Sequence, residues 1–228
     1  MERERGLDPC AALTPSVPVL NERPAMNENI RSLPLLKPLK PLGEALLFAG
    51  NFLLHPGMLG SIVPSSRFLV EQVLEAVDFG RARVIVEYGP GVGTFTGEIL
   101  RRMRSDARLV AIETNRDFVR FLRRSLPDPR LEVVHDSAAQ VQAVLGRLGL
   151  PAPRYIVSGI PLGSMPEPVR TQIAEQSRAA LEPGGAFLVY QFTARALPAL
   201  ERTFGAVQRR SERRNFPPAQ LFLCTAPG

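Results

Sequence analysis

Val84-Ile85-Val86-Glu87-Tyr88-Gly89-Pro90-Gly91-Val92-Gly93 is the stretch whose reading decides the fold. A short apolar run ends on an acid and breaks into three glycines spaced two apart. Thr94 to Met103 then reads as a helix. Strand, glycine turn and helix in that order open the ligand site of a doubly wound α/β sheet. Glycine lets backbone approach a ligand where a Cβ would clash, and the helix start offers unpaired N–H groups. The dinucleotide fingerprint G-x-G-x-x-G fails, because Thr94 stands where its last glycine belongs. A P-loop fails too, because no Gly-Lys-Ser/Thr follows.

An acid two residues before G-x-G-x-G, at a strand end, resembles motif I of class I S-adenosylmethionine (SAM) methyltransferases. The resemblance implies SAM as cofactor, with Glu87, Gly89, Gly91 and Gly93 around it. SAM carries a sulfonium cation and an α-amino group and no phosphate, so an acid at the turn suits it. The competing reading is a glycine-rich turn without a ligand. Glu113 ends the second strand, Arg108 to Glu113, where an acid hydrogen-bonds ribose hydroxyls in such folds. Asp136 ends the third strand, Leu131 to His135. In the methyltransferases this resembles, that acid meets the adenine amino group, with Ser137 in support.

The chain of 228 residues has room for one large domain with a full core. Cys10 and Cys224 are far apart, and His55 and His135 make no metal-ligand spacing, so neither a disulfide framework nor a metal is expected. A reduced cytoplasmic setting follows. The net charge is +6, and lysine occurs only at Lys37 and Lys40. Residues 1–65 carry six basic and six acidic side chains, so the excess belongs to the body of the chain. A positive body favours anionic partners: an acidic membrane surface or nucleic acid. No uninterrupted apolar run is long enough to span a bilayer.

Residues 1–30 read as a disordered tail. Residues 31–65 read as an amphipathic helical cap. Leu42, Ala45, Leu46, Ala49, Phe52 and Leu53 share one helix face behind the basic pair Lys37 and Lys40. Such a segment either lies in a membrane interface or caps the core. Residues 66–228 form the catalytic domain. Ser65 or Ser66 caps its first helix or touches the cofactor.

Beyond the third strand, His135 is expected to be packed and hydrogen-bonded. The fourth strand, Tyr155 to Val157, leads into Ser158-Gly159-Ile160-Pro161-Leu162. Amino-methylating enzymes grip their substrate at this point, and adenine methyltransferases carry Asn-x-Pro-Tyr/Phe there. Gly159 replaces the Asn and Leu162 the aromatic residue, removing an edge reader and a stacking platform. The Ile160 carbonyl remains to accept from an amine. Tyr190 and Gln191, near the carboxyl end of the fifth strand, Ala186 to Phe192, lie within reach of a substrate or pack. Ala206 to Arg213 and Leu221 to Thr225 read as a closing antiparallel pair. Arg209-Arg210-Ser-Glu-Arg213-Arg214 is either a solvated strand face or a contact for lipid phosphates.

Together these pieces resemble the bacterial phospholipid N-methyltransferases of the rhizobial type, themselves similar to rRNA adenine dimethylases. The resemblance covers roughly residues 45–228 and rests on Gly60-Ser-Ile-Val-Pro64-Ser-Ser66, the Glu87 motif, the Ser158 loop and Asn215-Phe-Pro217-Pro218-Ala219. It implies a Rossmann-like seven-stranded, mostly parallel sheet with helices on both faces. It implies SAM bound by Glu87, Gly89, Gly91, Gly93, Glu113, Asp136, Ser137 and Ser158. Gly159, Ile160 and Pro161 would surround the reacting amine, with Leu162, Tyr190 and Arg213 against the substrate. The implied activity is N-methylation of phosphatidylethanolamine towards phosphatidylcholine, by a cytoplasmic enzyme peripherally bound to the inner face of the membrane. The alternatives are an rRNA adenine or a small hydrophobic metabolite as acceptor.

Overall fold

The computed structural model describes residues 65–227. The expected tail (1–30) and the amphipathic helix in 42–54 lie outside the described residues. Fifteen short segments, of which six are α-helices and seven are strands, follow one another. They are α1 (Arg67–Leu74), β1 (Val84–Tyr88), α2 (Thr94–Arg102), β2 (Arg108–Glu113), α3 (Arg116–Ser125) and β3 (Leu131–His135). Then come a 3-10 turn (Ala138–Gln140), α4 (Val141–Leu148), β4 (Tyr155–Ser158) and a second 3-10 turn (Leu162–Ser164). Last are α5 (Glu167–Ala180), β5 (Ala186–Gln191), α6 (Leu197–Phe204), β6 (Val207–Glu212) and β7 (Ala219–Thr225).

The strands form one sheet in the order β3-β2-β1-β4-β5-β7-β6. The first five are parallel; β7 runs antiparallel between β5 and β6. This is the doubly wound sheet expected from the sequence. Side chains alternate across each strand, so each face needs its own cover. Val84, Val86, Val110, Ile156 and Phe187 pack beneath α4, α5 and α6. Ile85, Leu109, Val157 and Leu188 pack beneath α1 and α2, and Ala111 and Val133 beneath α3. Strands buried on both faces read as continuous apolar runs, which is why β1 and β5 stood out in the sequence.

The order reverses between β1 and β4, one strand continuing to β2 and the other to β5. Loops leave these two carboxyl ends in opposite directions and open a crevice there. Local chemistry fixes the entries. Asn115 caps α3, its side chain accepting from Asp117 N at 2.8 Å. Ser66 caps α1, accepting from Leu69 N at 3.2 Å. The helix ends at Leu74. β7 begins at Ala219 instead of Leu221, because its register against Gln191 and Glu212 carries the ladder to the edge of the sheet.

Gly89, Gly91 and Gly93 have φ of 65°, 54° and 86°. A Cβ on Gly93 would meet Leu122 Cδ2 at 2.7 Å, whereas one on Gly97 inside α2 meets nothing within 4 Å. Gly93→Ala is therefore expected to lower stability by about 1–3 kcal/mol through backbone strain and crowding. Gly97→Ala is expected to raise it by about 0.5–1 kcal/mol through helix propensity. Urea midpoints of the two variants check both signs; a stabilised Gly93→Ala would refute the strained turn.

Candidate active site

Glu87 is the penultimate residue of β1, on the face covered by α2. Its side chain is almost fully buried and accepts from the Thr96 hydroxyl at 2.7 Å. Burial pushes its carboxyl up from 4.5 to about 8; the neighbouring Glu113 charge adds to this and the Thr96 hydrogen bond partly offsets it. A buried acid with one protein partner keeps acceptor capacity for a cationic or amine-bearing ligand. Thr96 carries no signal in the sequence beyond lying in the first turn of the helix after the motif.

Glu113 ends β2, paired beside Glu87's strand, and is also buried. One carboxylate oxygen accepts from Gly91 N at 3.3 Å and the other from Asn115 N at 2.9 Å. The acid expected to hold a ribose thus ties the glycine turn of β1 to the start of α3. Asp136 follows β3. It accepts from Ser137 N at 2.8 Å and pairs with Arg147 at 2.6 Å, which holds its carboxyl below the usual range. The Ser137 hydroxyl, exposed, caps the next turn at Ala139 N. His135 departs from expectation: it is exposed rather than packed, and its Nε2 lies 2.9 Å from Thr114 O.

Ser158, at the end of β4, is fully buried, and its hydroxyl has no partner. Gly89 and Gly159 are both crossing points. A Cβ on Gly89 would stand 2.6 Å from Ile160 Cγ2, and one on Gly159 would stand 2.1 Å from the Tyr190 hydroxyl oxygen. The loop after β4 therefore closes onto the glycine turn of β1, with the Tyr190 phenol pressed beside Gly159. Tyr190 stacks on Phe95 with ring centroids 4.7 Å apart. Its hydroxyl bonds the Ser65 side chain, and burial together with the Glu87 charge pushes the phenol above its usual range. Ser65 thus reaches the acceptor loop, while Ser66 is the cap.

Three expected substrate groups need correction or refinement. Leu162 is wholly buried in the core beneath α4–α6, so it packs the loop and does not face an acceptor. A leucine starting a short turn had no other apolar site to fill. Gln191 is committed to the loop: its amide donates to Ile160 O at 2.7 Å and accepts from Gly163 N at 3.2 Å. The Ile160 carbonyl, expected to receive an amine, is already taken: it accepts from Leu162 N at 2.8 Å as well as from the Gln191 amide, and Pro161 N-caps the turn that follows. Arg213 sits exposed in the β6–β7 turn, at the carboxyl end of the sheet.

The residues present fit SAM. Three positive-φ glycines expose backbone at the crevice, a buried acid suits an ammonium, and an unpartnered buried hydroxyl stands at the end of the adjacent strand. Glu113→Ala is expected to weaken SAM binding by about 1–3 kcal/mol, as for a lost buried charged hydrogen bond; titration calorimetry showing wild-type affinity would remove it from the site. Glu87 holds its proton longer when folded than when unfolded. Unfolding therefore releases a proton between pH 4.5 and about 8, and stability falls across that window as pH rises. Ligand-free protein should show this slope in urea midpoints and Glu87→Gln should flatten it; equal slopes would mean the carboxyl is not buried.

Comparison with known proteins agrees with this arrangement. The model of the family described as ribosomal RNA adenine dimethylase matches residues 59–189. An ornithine lipid N-methyltransferase of Singulisphaera acidiphila is 31% identical over 189 residues, covering 79% of this chain and 95% of that protein. A ribosomal RNA small subunit methyltransferase A of Laribacter hongkongensis is 32% identical over 94 residues, covering 41% of this chain but only 34% of that protein. Among solved structures, the N-methyltransferase NodS of Bradyrhizobium japonicum, in complex with S-adenosyl-L-homocysteine, superposes with a TM-score of 0.57 at 14% identity over 72% of this chain and 89% of that one. Glycine turn, paired acids, sheet order and sequence match lead to one conclusion: the chain is a SAM-dependent methyltransferase that belongs to the ribosomal RNA adenine dimethylase family.

Proposed function

We propose that the chain methylates the amine of a membrane lipid, with phosphatidylethanolamine as the acceptor. The observation that carries this reading is the Tyr190 phenol lying against Gly159, where no side chain fits. An adenine needs an amide at this place to read its edge and an aromatic ring after it to stack on. Here the amide position is a glycine filled from the side by a phenol, and the ring position is Leu162, turned into the core. What is left is compact: the Tyr190 hydroxyl beside Gly159, set for a small amine. The relative named for an amine lipid spans 95% of its own length, whereas the rRNA methyltransferase match spans 34%.

When bound, SAM supplies an electrophilic methyl group on a sulfonium. The chain's part is positioning, which is where most of the acceleration of such a transfer lies. An alkyl ammonium must lose its proton before its nitrogen attacks. Burial beside Tyr190 and Phe95 disfavours the charged form, and the proton leaves to water. The Tyr190 oxygen then accepts an N–H bond of the amine and helps to aim its lone pair. Transfer forms the N–C bond, breaks the S–C bond, and leaves a methylammonium that loses its own proton before any second transfer. Gln191 holds the Ile160 carbonyl in place.

Labelled SAM, offered in parallel to phosphatidylethanolamine vesicles, ornithine lipid vesicles and deproteinised rRNA, tests the reading. Label in phosphatidylethanolamine is expected. Label in ornithine lipid alone would change the headgroup but keep the class. Label in rRNA, the acceptor after which the matching family is named, would overturn it. Tyr190→Phe keeps the ring and the stacking; it should lower kcat about 3–10-fold with SAM affinity intact. Gly159→Asn should lose lipid transfer without gaining rRNA transfer, because the new side chain must expel the phenol.

A further inference from the structure

We infer that the β6–β7 turn, with the start of α1 beside it, is a docking surface for an anionic lipid bilayer, with Phe216 as the inserted group. The inference rests on the lipid reading of the active site and adds the surface by which the protein meets its substrate phase.

Phe216 is 88% exposed, the largest exposure of any big apolar side chain among the described residues. Its exposure is built in. Asn215, itself buried, donates to Pro217 O at 2.7 Å and accepts from Ser66 N at 3.0 Å, so both neighbours of Phe216 are anchored. The Glu212 carboxylate accepts from the Arg214 backbone N at 2.7 Å and pairs with its guanidinium at 2.8 Å, fixing the other limb of the turn. A turn this well tied has no slack to fold the ring inward, so the ring stays in the surrounding medium.

Register sets where the ring points along the sheet. Gln220 stands opposite Gln191, and Ala219 opposite Glu212. The turn therefore projects from the carboxyl edge, the same edge from which the glycine turn of β1 and the Ser158–Leu162 loop emerge. A short chain of contacts joins them: Asn215 to Ser66, and adjacent Ser65 to Tyr190, which abuts Gly159. A bilayer touching Phe216 lies at the rim of the acceptor loop.

The charges around the ring match an anionic surface. Arg67 and Arg214 both lie against the Phe68 ring, at 4.8 and 4.4 Å. Among the described residues, Arg67 and Arg213 pair with no acid. Arg67 opens α1, where the helix dipole disfavours a cation; its charge serves something other than the helix. The acids facing this region are Glu212, already paired with Arg214, and Glu71 and Glu75, whose charges reach Arg214 from further along α1. Those two recede from the edge by about one and two helical turns, which leaves the rim itself basic. An exposed ring with arginines nearby suits a lipid interface, where the ring enters the acyl boundary and the guanidiniums meet phosphates. A single-stranded RNA platform would need successive exposed rings, and among the described residues Phe216 is the one exposed phenylalanine or tyrosine ring.

The full chain should co-sediment with vesicles of phosphatidylcholine and phosphatidylglycerol, which contain no amine acceptor. Phe216→Ser should weaken that binding about tenfold. Arg67→Glu, which improves the charge at the helix start, should weaken it as well, and only when phosphatidylglycerol is present. Both variants should still methylate a short-chain phosphatidylethanolamine held below its micelle concentration. Wild-type vesicle binding in both variants would overturn the docking surface, as would binding of single-stranded RNA that Phe216→Ser abolishes while vesicle binding stays unchanged. Loss of vesicle binding in the variants, with no methylation of the short-chain lipid even by wild type, would keep the docking surface and reject phosphatidylethanolamine as acceptor.

Discussion

Two places where backbone passes closer than a Cβ allows hold this active site together. At Gly89 the turn after β1 meets Ile160, and at Gly159 the loop after β4 meets the Tyr190 ring. Both lie at the one position where the sheet order reverses, so both loops must share a narrow crevice. The crevice is narrow because parallel strands pack tightly side by side, and it is deep because the loops diverge above it. Everything chemical follows from that crossing. Glu113 can reach Gly91, Gln191 can reach Ile160, and Ser158 is sealed beneath them.

Buried polar groups do the fastening here. Glu113 accepts two backbone N–H groups, Gln191 bridges two points of one loop, and Asn215 joins the far hairpin to the start of α1. Each such group, once withdrawn from water, is costly to leave unpaired. Each therefore specifies one loop geometry. Ser158 and Glu87 are the exceptions, with hydrogen-bonding capacity that protein atoms do not use up. They lie near the ends of adjacent strands, β4 and β1.

The sheet was legible because its strands are buried on both faces and announce themselves as apolar runs ending in acids. Glu87, Glu113 and Asp136 each close such a run, and each ends at the same edge. The turn after β1 was legible because only glycine repeats at that spacing. Leu162 and Gln191 were not. Whether a leucine in a loop faces core or crevice depends on a single turn of backbone, and Leu162 starts that turn. Gln191 looks like any strand-end amide until Ile160 is brought to it from 31 residues away. Tyr190 was ambiguous in the sequence between packing and substrate contact; in the fold it packs, stacking one face on Phe95 and carrying its hydroxyl to Ser65.

Among the described residues the sheet also has two open edges, β3 and β6, and an open edge is a template on which a second chain can add a strand. Both edges carry arginine. On β3 the Arg123 guanidinium covers the outward carbonyl of Val133, at 2.6 and 3.2 Å. On β6 the exposed Arg209 and Arg210 project from opposite faces, Arg209 over the Phe222 ring of the next strand. A guest strand would have to displace one cation and desolvate two others. The arginine surplus thus doubles as protection against aggregation, the hazard that rises when a protein is concentrated on a two-dimensional surface.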